Sequence, residues 1–165
     1  ANIKKGRTLA WLLDHIRDGH GKAVPRALVR LVEAAADQEQ SHPRAAYSRL
    51  LHPMSLRRAL DMVSREHVLQ VNTNELPWLH GVAHRLKHRE VPMPRRDVER
   101  LLGSEWDHTW GQSPDIRPPV ENDRELVDYL VEIGVLRLRT DGRLDAPDLF
   151  VAGLGLKRKG GVKRR

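Results

Sequence analysis

The stretch that decides the fold, residues 121–147, reads ENDRELVDYLVEIGVLRLRTDGRLDAP, and the spacing of its apolar residues changes midway. In its first half, apolar residues recur at helical spacing, at Leu126, Val127, Leu130 and Ile133. This pattern predicts a helix over 121–133 with that face buried. From Val135 onward apolar and polar residues alternate, which is typical of a strand, and Asp141-Gly142 is a hairpin-turn sequence. We therefore expect a β-hairpin directly after the helix.

Residues upstream of this stretch extend it to a module. Helical spacing predicts two further helices, at 74–88 and 94–103. Three helices followed by a β-hairpin is the element order of a winged-helix module, in which the hairpin is the wing. Its second strand is expected over 143–154, although Pro147 restricts that strand to a sheet edge or a bulge. The sequence thus predicts a winged-helix-like module over residues 72–156.

The N-terminal part is also helical in character. Apolar spacing predicts three helices, at 8–19, 25–40 and 56–71. Pro25 suits the first turn of the second helix, and Ser55 is the expected N-cap of the third. The predicted fold class is therefore mainly α, with a helical accessory segment over 1–71 that precedes the winged-helix-like module.

Tryptophan accounts for four of the seven aromatic residues. Residues 104–120 contain Trp106, Trp110 and three prolines, which predicts an ordered loop, and a short helix is expected around 47–51. Together with Trp78, these large amphipathic side chains suit either a core or an interface. Because the chain has so few aromatic residues, we expect them to pack in the core.

The positive charge is concentrated at one end of the chain. The net charge is +7, but residues 157–165 contain six Lys and Arg residues, so about +1 remains for residues 1–156. This distribution predicts a flexible basic tail over 157–165 and favours non-specific contact with polyanions over a shaped basic groove. The absence of cysteine excludes disulfides and thiolate metal sites. No apolar run approaches the ~20 residues of a membrane span, so we expect a cytoplasmic protein without a membrane partner.

Three segments resemble a known family: WLLDHIRDGHGKAVPRALVRLVEAAADQ at 11–38, ALDMVSREHV at 59–68 and LVDYLVEIGVLRLR at 126–139. Each is similar to a segment downstream of the nucleotide-binding core in a family of bacterial P-loop ATPases of poorly assigned function. The resemblance implies that ATP and Mg²⁺ bind in an upstream Walker-type domain. This sequence contains no G-x-x-x-x-G-K-[ST] run, so no cofactor is expected here. Its start, Ala1-Asn2-Ile3, reads as a cut within a longer protein.

Arg26 is the one site residue that the resemblance implies. If it follows the pattern of the family, it is a sensor-like residue near the nucleotide of the parent protein. The alternative, which the residues themselves favour, is that Arg26 forms a salt bridge in the first turn of its helix.

Two motifs that resemble chemical sites are weak. The run GLGLKRKGG at 153–161 lacks the following helix that a phosphate loop requires. His80, His84 and His88 are spaced for one helix face, but HGVAH lacks the catalytic Glu of a zinc protease, and a solvated basic face is the alternative. No nucleophile motif is present. We therefore predict no catalytic residue and no metal site, and the chain is not expected to be an enzyme.

Nucleic-acid binding would depend on cations outside the last helix of the module. That helix, 121–133, contains five acidic residues and a single cation, Arg124, so it would repel phosphate. The candidate contacts lie on the preceding helix, the wing and the tail: Arg95, Arg96, Arg137, Arg139, Arg143, Lys157, Arg158 and Lys159.

These observations favour a non-catalytic C-terminal regulatory or interaction region of a P-loop ATPase. We expect it to couple the nucleotide state to a partner, either the upstream ATPase domain or another protein. The alternative is a DNA-binding winged-helix module that contacts the nucleic-acid backbone through its wing and basic tail.

Overall fold

A computed structural model describes residues 8–41, 50–103 and 117–160. The helices in this part of the chain are α1 (Thr8–His15), α2 (Pro25–Ser41), α3 (Pro53–Asn74), α4 (Leu79–Leu86), α5 (Arg95–Gly103), α6 (Asp123–Glu132) and α7 (Asp148–Val151). The strands are β1 (Glu90–Val91), β2 (Met93–Pro94), β3 (Arg137–Leu138), β4 (Arg143–Asp145) and β5 (Lys157–Arg158). The predicted mainly helical class is confirmed.

The N-terminal half is built on the pairing of α2 with α3. Helix α2 begins at Pro25, as predicted, and buries Leu31, Ala34 and Ala35. Ser55 is not the N-cap of α3, because the helix begins two residues earlier, at Pro53. The ring Nδ1 of His52 accepts the Met54 N–H at 3.1 Å and takes the capping role, while proline provides a preset first turn.

In the described residues the C-terminal half follows the order α4, β1, β2, α5, α6, β3, β4, α7, β5. Its antiparallel sheet has the strand order β2-β4-β3. Leu144 of the central strand β4 lies opposite Met93 of β2 on one side and opposite Leu138 of β3 on the other. The β3–β4 hairpin was predicted, and we keep the name wing for it only as a label. Strand β2 was not predicted, because a two-residue strand has no period to recognise. Helix α4 begins at Leu79, several residues later than predicted.

The residues after β4 differ from the prediction of a strand over 143–154. Strand β4 ends at Asp145, and residues 148–151 turn into the short helix α7, whose first turn closes when Phe150 N–H donates to the Pro147 carbonyl at 2.9 Å. Leu149, Phe150, Leu154 and Leu156 are buried, as expected, but not as a strand.

The predicted flexible tail begins too early. Lys157 and Arg158 form β5, which pairs in parallel with β1. The Lys157 N–H donates to the Arg89 carbonyl at 2.8 Å, and the Lys159 N–H donates to the Val91 carbonyl at 3.0 Å. These backbone hydrogen bonds fix the chain through residue 159, so the prediction of a tail from 157 is wrong there.

The two predicted segments share one core, which runs from α1 to the residues after α7. Gly19 N–H donates to the Gly134 carbonyl at 2.7 Å, which joins the loop after α1 to the end of α6. Gly153 N–H donates to Ser64 Oγ at 2.9 Å, which joins α3 to the turn after α7. Residue 72, the predicted boundary, lies within α3.

Trp78 packs in this core, as expected, with 4% of its surface exposed and its ring 5.9 Å from that of Tyr129. The predictions for Trp106 and Trp110, for residues 42–49 and for residues 161–165 lie outside the described residues. None of the helices in the described ranges is both long enough and apolar enough to cross a membrane.

Candidate functional site

Asp145 is the centre of an ion-pair network between the wing and β5, which we call the Asp145 network. Its side chain is only 2% exposed. Arg137 Nη2 donates to Asp145 Oδ2 at 2.8 Å, and Arg158 Nη1 pairs with Oδ1. Arg139 Nη1 lies 3.7 Å from Oδ2. A buried carboxylate is tolerated when it is paired and hydrogen-bonded, and here three guanidinium groups meet that need.

Arg158 also holds the start of α7. Its Nη2 donates to Asp148 Oδ1 at 2.8 Å and to the Ala146 carbonyl at 2.6 Å. Because its fork contacts two carboxylates and a carbonyl, Arg158 acts as an internal clamp between β5 and the end of β4.

The tip of the wing is neutralised locally. Arg143 Nη2 donates to Asp141 Oδ2 at 2.8 Å, and Arg139 Nε donates to the same oxygen at 3.3 Å. The hydrogen bond from the Arg143 side chain is the main reason that the pKa of Asp141 is held well below its usual range. The wing arginines therefore face carboxylates of their own hairpin.

A second pairing joins α5 to α6. Arg95 donates through Nε to Glu99 at 2.7 Å, and its Nη1 lies 2.7 Å from Asp128 Oδ1. The hydrogen bond with Arg95 lowers the pKa of Asp128, and the same contact, together with the bond to Glu99, raises the pKa of Arg95. Arg95 thus neutralises one acid of α6 and is not available as a lone cation.

Of the eight predicted nucleic-acid contacts, five are engaged by carboxylates: Arg95, Arg137, Arg139, Arg143 and Arg158. Arg96, Lys157 and Lys159 are exposed and form no ion pair with another described residue. Sequence reasoning missed Asp145 and Asp148 as counter-ions. The signal for Asp145 was present in the wing, where Asp141 and Asp145 alternate with arginines.

Arg26 lies beside a pocket between α2 and α3. The pocket has a volume of about 220 Å³, and Arg30, Glu66 and His67 also line it. Arg30 is paired with Glu66 at 3.1 Å and with Glu33 at 2.8 Å. Arg26 is exposed and, within the described ranges, forms no salt bridge. The first-turn salt bridge that was the alternative for Arg26 is thus not formed with any described residue.

We expect the stability of this region to depend on pH through His67. Burial lowers its pKa below the ordinary value of 6.5, and its ring packs edge-on against Phe150, 5.0 Å between centroids. Below about pH 6.5 the unfolded chain takes up a proton at His67 that the folded chain resists. The free energy of unfolding should therefore fall from pH 7 to pH 5, and His67→Gln should make that fall smaller.

Urea unfolding at several pH values measures this effect. His84→Gln is the matched control, because it removes an exposed histidine instead. The expectation would be contradicted by identical pH dependence in the His67→Gln variant and the unsubstituted chain.

The helical histidines do not form a metal site in the part of the chain that the structure describes. His80 Nδ1 lies 2.6 Å from the Pro77 carbonyl oxygen. His88 lies beyond the end of α4 and has a left-handed backbone, with a φ of 66°. Within the described ranges, no group of three or more His, Asp or Glu residues is arranged to hold a metal ion.

Comparisons with known proteins found no relative of this chain. No protein family, curated protein or solved structure matches it.

Proposed function

We propose that this chain is the non-catalytic C-terminal interaction region of a P-loop ATPase, which couples the nucleotide state of that ATPase to a protein partner. The resemblance of residues 11–38, 59–68 and 126–139 supports this assignment. The succession of helix, two short strands, two helices and two strands over 79–145, with the sheet order β2-β4-β3, supports a winged-helix-like module within it.

The observation that carries the proposal is the charge on the surface that a winged helix normally turns toward DNA. Helix α6 and the turn before it contain the five predicted acids: Glu121, Asp123, Glu125, Asp128 and Glu132. The nearby wing arginines are paired with Asp141 and Asp145. A surface of this kind repels phosphate and complements a basic polypeptide surface, where opposite potentials guide association.

Under this proposal Arg26 contacts a phosphate bound by the ATPase domain, and its exposed position supports that role. It is the second residue of α2 and is exposed. An arginine that is not engaged within its own domain can donate two hydrogen bonds to a phosphate supplied by another domain. The nucleotide state would then determine whether Arg26 is held.

A hydrogen-bonded loop connects Arg26 to the acidic helix. The loop between α1 and α2 is braced by Val24 N–H, which donates to the Ile16 carbonyl at 3.0 Å. The same loop contacts the end of α6, where the Gly19 N–H donates to the Gly134 carbonyl and His20 Nε2 lies 2.7 Å from the Glu132 carbonyl oxygen. These contacts join the start of α2 to the C-terminal end of α6, and under the proposal they transmit a shift from one to the other.

The proposal predicts that Arg26→Ala lowers ATP hydrolysis by the full-length protein about tenfold or more, because a phosphate contact is lost. Arg57→Ala is the matched control, since Arg57 is also an exposed helical arginine, and it should leave the rate unchanged. The coding sequence upstream of Ala1 gives the first check, since a Walker motif is expected there. An upstream sequence without such a motif, or equal rates for the two variants, would contradict the proposal.

A further inference from the structure

A second surface, away from the acidic helix, has the opposite charge. An open groove of about 820 Å³ lies between α3, α4 and the segment 151–158. Helix α3 contributes Asp61 and Arg65, and the segment from α4 to the following turn contributes His80, Ala83, His84, Lys87 and His88. We call this surface the α3–α4 groove.

The cations of this groove are not neutralised in the way that those of the wing are. Arg65, Lys87 and Lys157 are exposed and form no ion pair with another described residue. Arg158 is the exception, because it belongs to the Asp145 network. Asp61 is the one acid among the lining residues. The groove therefore has excess positive charge even with its three histidines neutral.

The floor of the groove is hydrogen-bonded to both walls, through Gly153 to Ser64 and through Gly155 to His88. Residues 153 and 155 must be glycine: a Cβ on Gly153 would lie 2.5 Å from the Ser64 carbonyl oxygen, and Gly155 has a left-handed φ of 68°. His88 N–H donates to the Gly155 carbonyl at 2.7 Å. Strand β5 then holds Lys157 beside β1. Its register partner Glu90 does not line the groove and forms no ion pair with a described residue.

We propose that the α3–α4 groove binds the phosphate backbone of a nucleic-acid duplex without sequence specificity. An open groove with cations from three separate elements suits a polymer that presents regularly spaced charges. None of the exposed large hydrophobic side chains among the described residues lines the groove, so it lacks the bulky apolar anchors that protein partners commonly use. No Trp, Tyr or Phe side chain is among its lining residues, so it lacks the large rings on which the bases of single strands usually stack.

This inference does not depend on the proposed ATPase function. It places nucleic-acid contact on residues that the winged-helix alternative does not use, apart from Lys157 and Arg158. The acidic face of α6 would then remain available to a protein partner while the groove holds a duplex.

The test is a titration of a fluorescent duplex of about 24 base pairs, at about 50 and 200 mM salt. Its key variant is the double reversal Arg65→Glu with Lys87→Glu. The matched control is Arg96→Glu with Arg124→Glu, which changes the net charge equally but lies on the surface formed by α5 and α6. Circular dichroism checks that both variants fold.

We expect the groove reversal to lower duplex affinity about tenfold or more at low salt. The slope of log affinity against log salt concentration should become less steep, by the amount that corresponds to about two phosphate contacts. The control reversal should retain affinity within about threefold, since its residues lie outside the groove. Equal losses in both variants would show only long-range attraction and would overturn the proposal.

Three further outcomes would also overturn it. The first is a loss confined to the control, which would place the duplex on the α5 and α6 surface. The second is affinity that survives both reversals but disappears when the chain ends at Lys159, which would assign binding to the terminal cations. The third is stronger groove-dependent binding of poly-glutamate than of duplex, which would assign the groove to an acidic polypeptide.

Discussion

Replacing Asp145 with alanine is expected to lower the free energy of unfolding by about 3–5 kcal/mol, the usual cost of removing one partner from a buried ion pair. Arg137, Arg139 and Arg158 would lose their shared counter-ion. Their guanidinium groups would then repel one another in a partly buried site. The Ala146 N–H, which donates to Asp145 Oδ1 at 2.9 Å, would also lose its acceptor.

Urea unfolding followed by circular dichroism measures this loss. Asp141→Ala is the matched control, because Asp141 also pairs with wing arginines but its side chain is 38% exposed. Exposed pairs contribute little to stability, so the control should unfold at nearly the same urea concentration as the unsubstituted chain. Equal, small effects of the two substitutions would contradict the structural role assigned to the Asp145 network.

The second large effect is expected at Gly19. A Cβ at this position would lie 2.5 Å from the Leu136 carbonyl oxygen and 2.8 Å from Gly134 Cα. Both are backbone atoms that cannot rotate away, so Gly19→Ala must push the α1–α2 loop off the end of α6. We expect a loss of about 3 kcal/mol in the free energy of unfolding, which is the upper range for overpacking.

Gly21→Ala separates this steric effect from the general cost of replacing glycine. Gly21 has a φ of 78°, and a Cβ added there would meet no described atom within 4 Å. The substitution should therefore cost only the backbone strain, about 1–2 kcal/mol. Thermal or urea unfolding compares the two variants. A Gly21→Ala variant that is less stable than Gly19→Ala would contradict the close contact between the loop and α6.

The elements that the sequence predicted well are those with a local signal. Helix α6 and the wing were predicted because the apolar period changes within one stretch, at Ile133 to Val135, and because Asp141-Gly142 specifies the turn. Helix α2 was predicted from its stripe and Pro25. The strands β1, β2 and β5 were not predicted, since each has two residues and is defined by its pairing partner.

The chemistry of the site was predicted in part. Residue type alone identified the cations of the wing and of residues 157–159. The carboxylates that pair with them lie on other elements or at the end of a strand, so local sequence did not indicate them. Arg158 was predicted to lie in a tail because its neighbours are Lys157, Lys159 and glycines. Its contact with Asp145, thirteen residues earlier, depends on how β5 packs and leaves no trace in local spacing. The α3–α4 groove was missed for the same reason.

Hydrogen exchange of the chain with and without a saturating duplex tests most directly which charged surface of this protein binds the duplex. We predict slower exchange around Arg65 and Lys87 and along 151–158, with no change over 123–145, where acids neutralise the wing or outnumber the cations. Slower exchange in helix α6 and in the wing on addition of duplex, with an unchanged α3–α4 groove, would contradict the assignment of both surfaces.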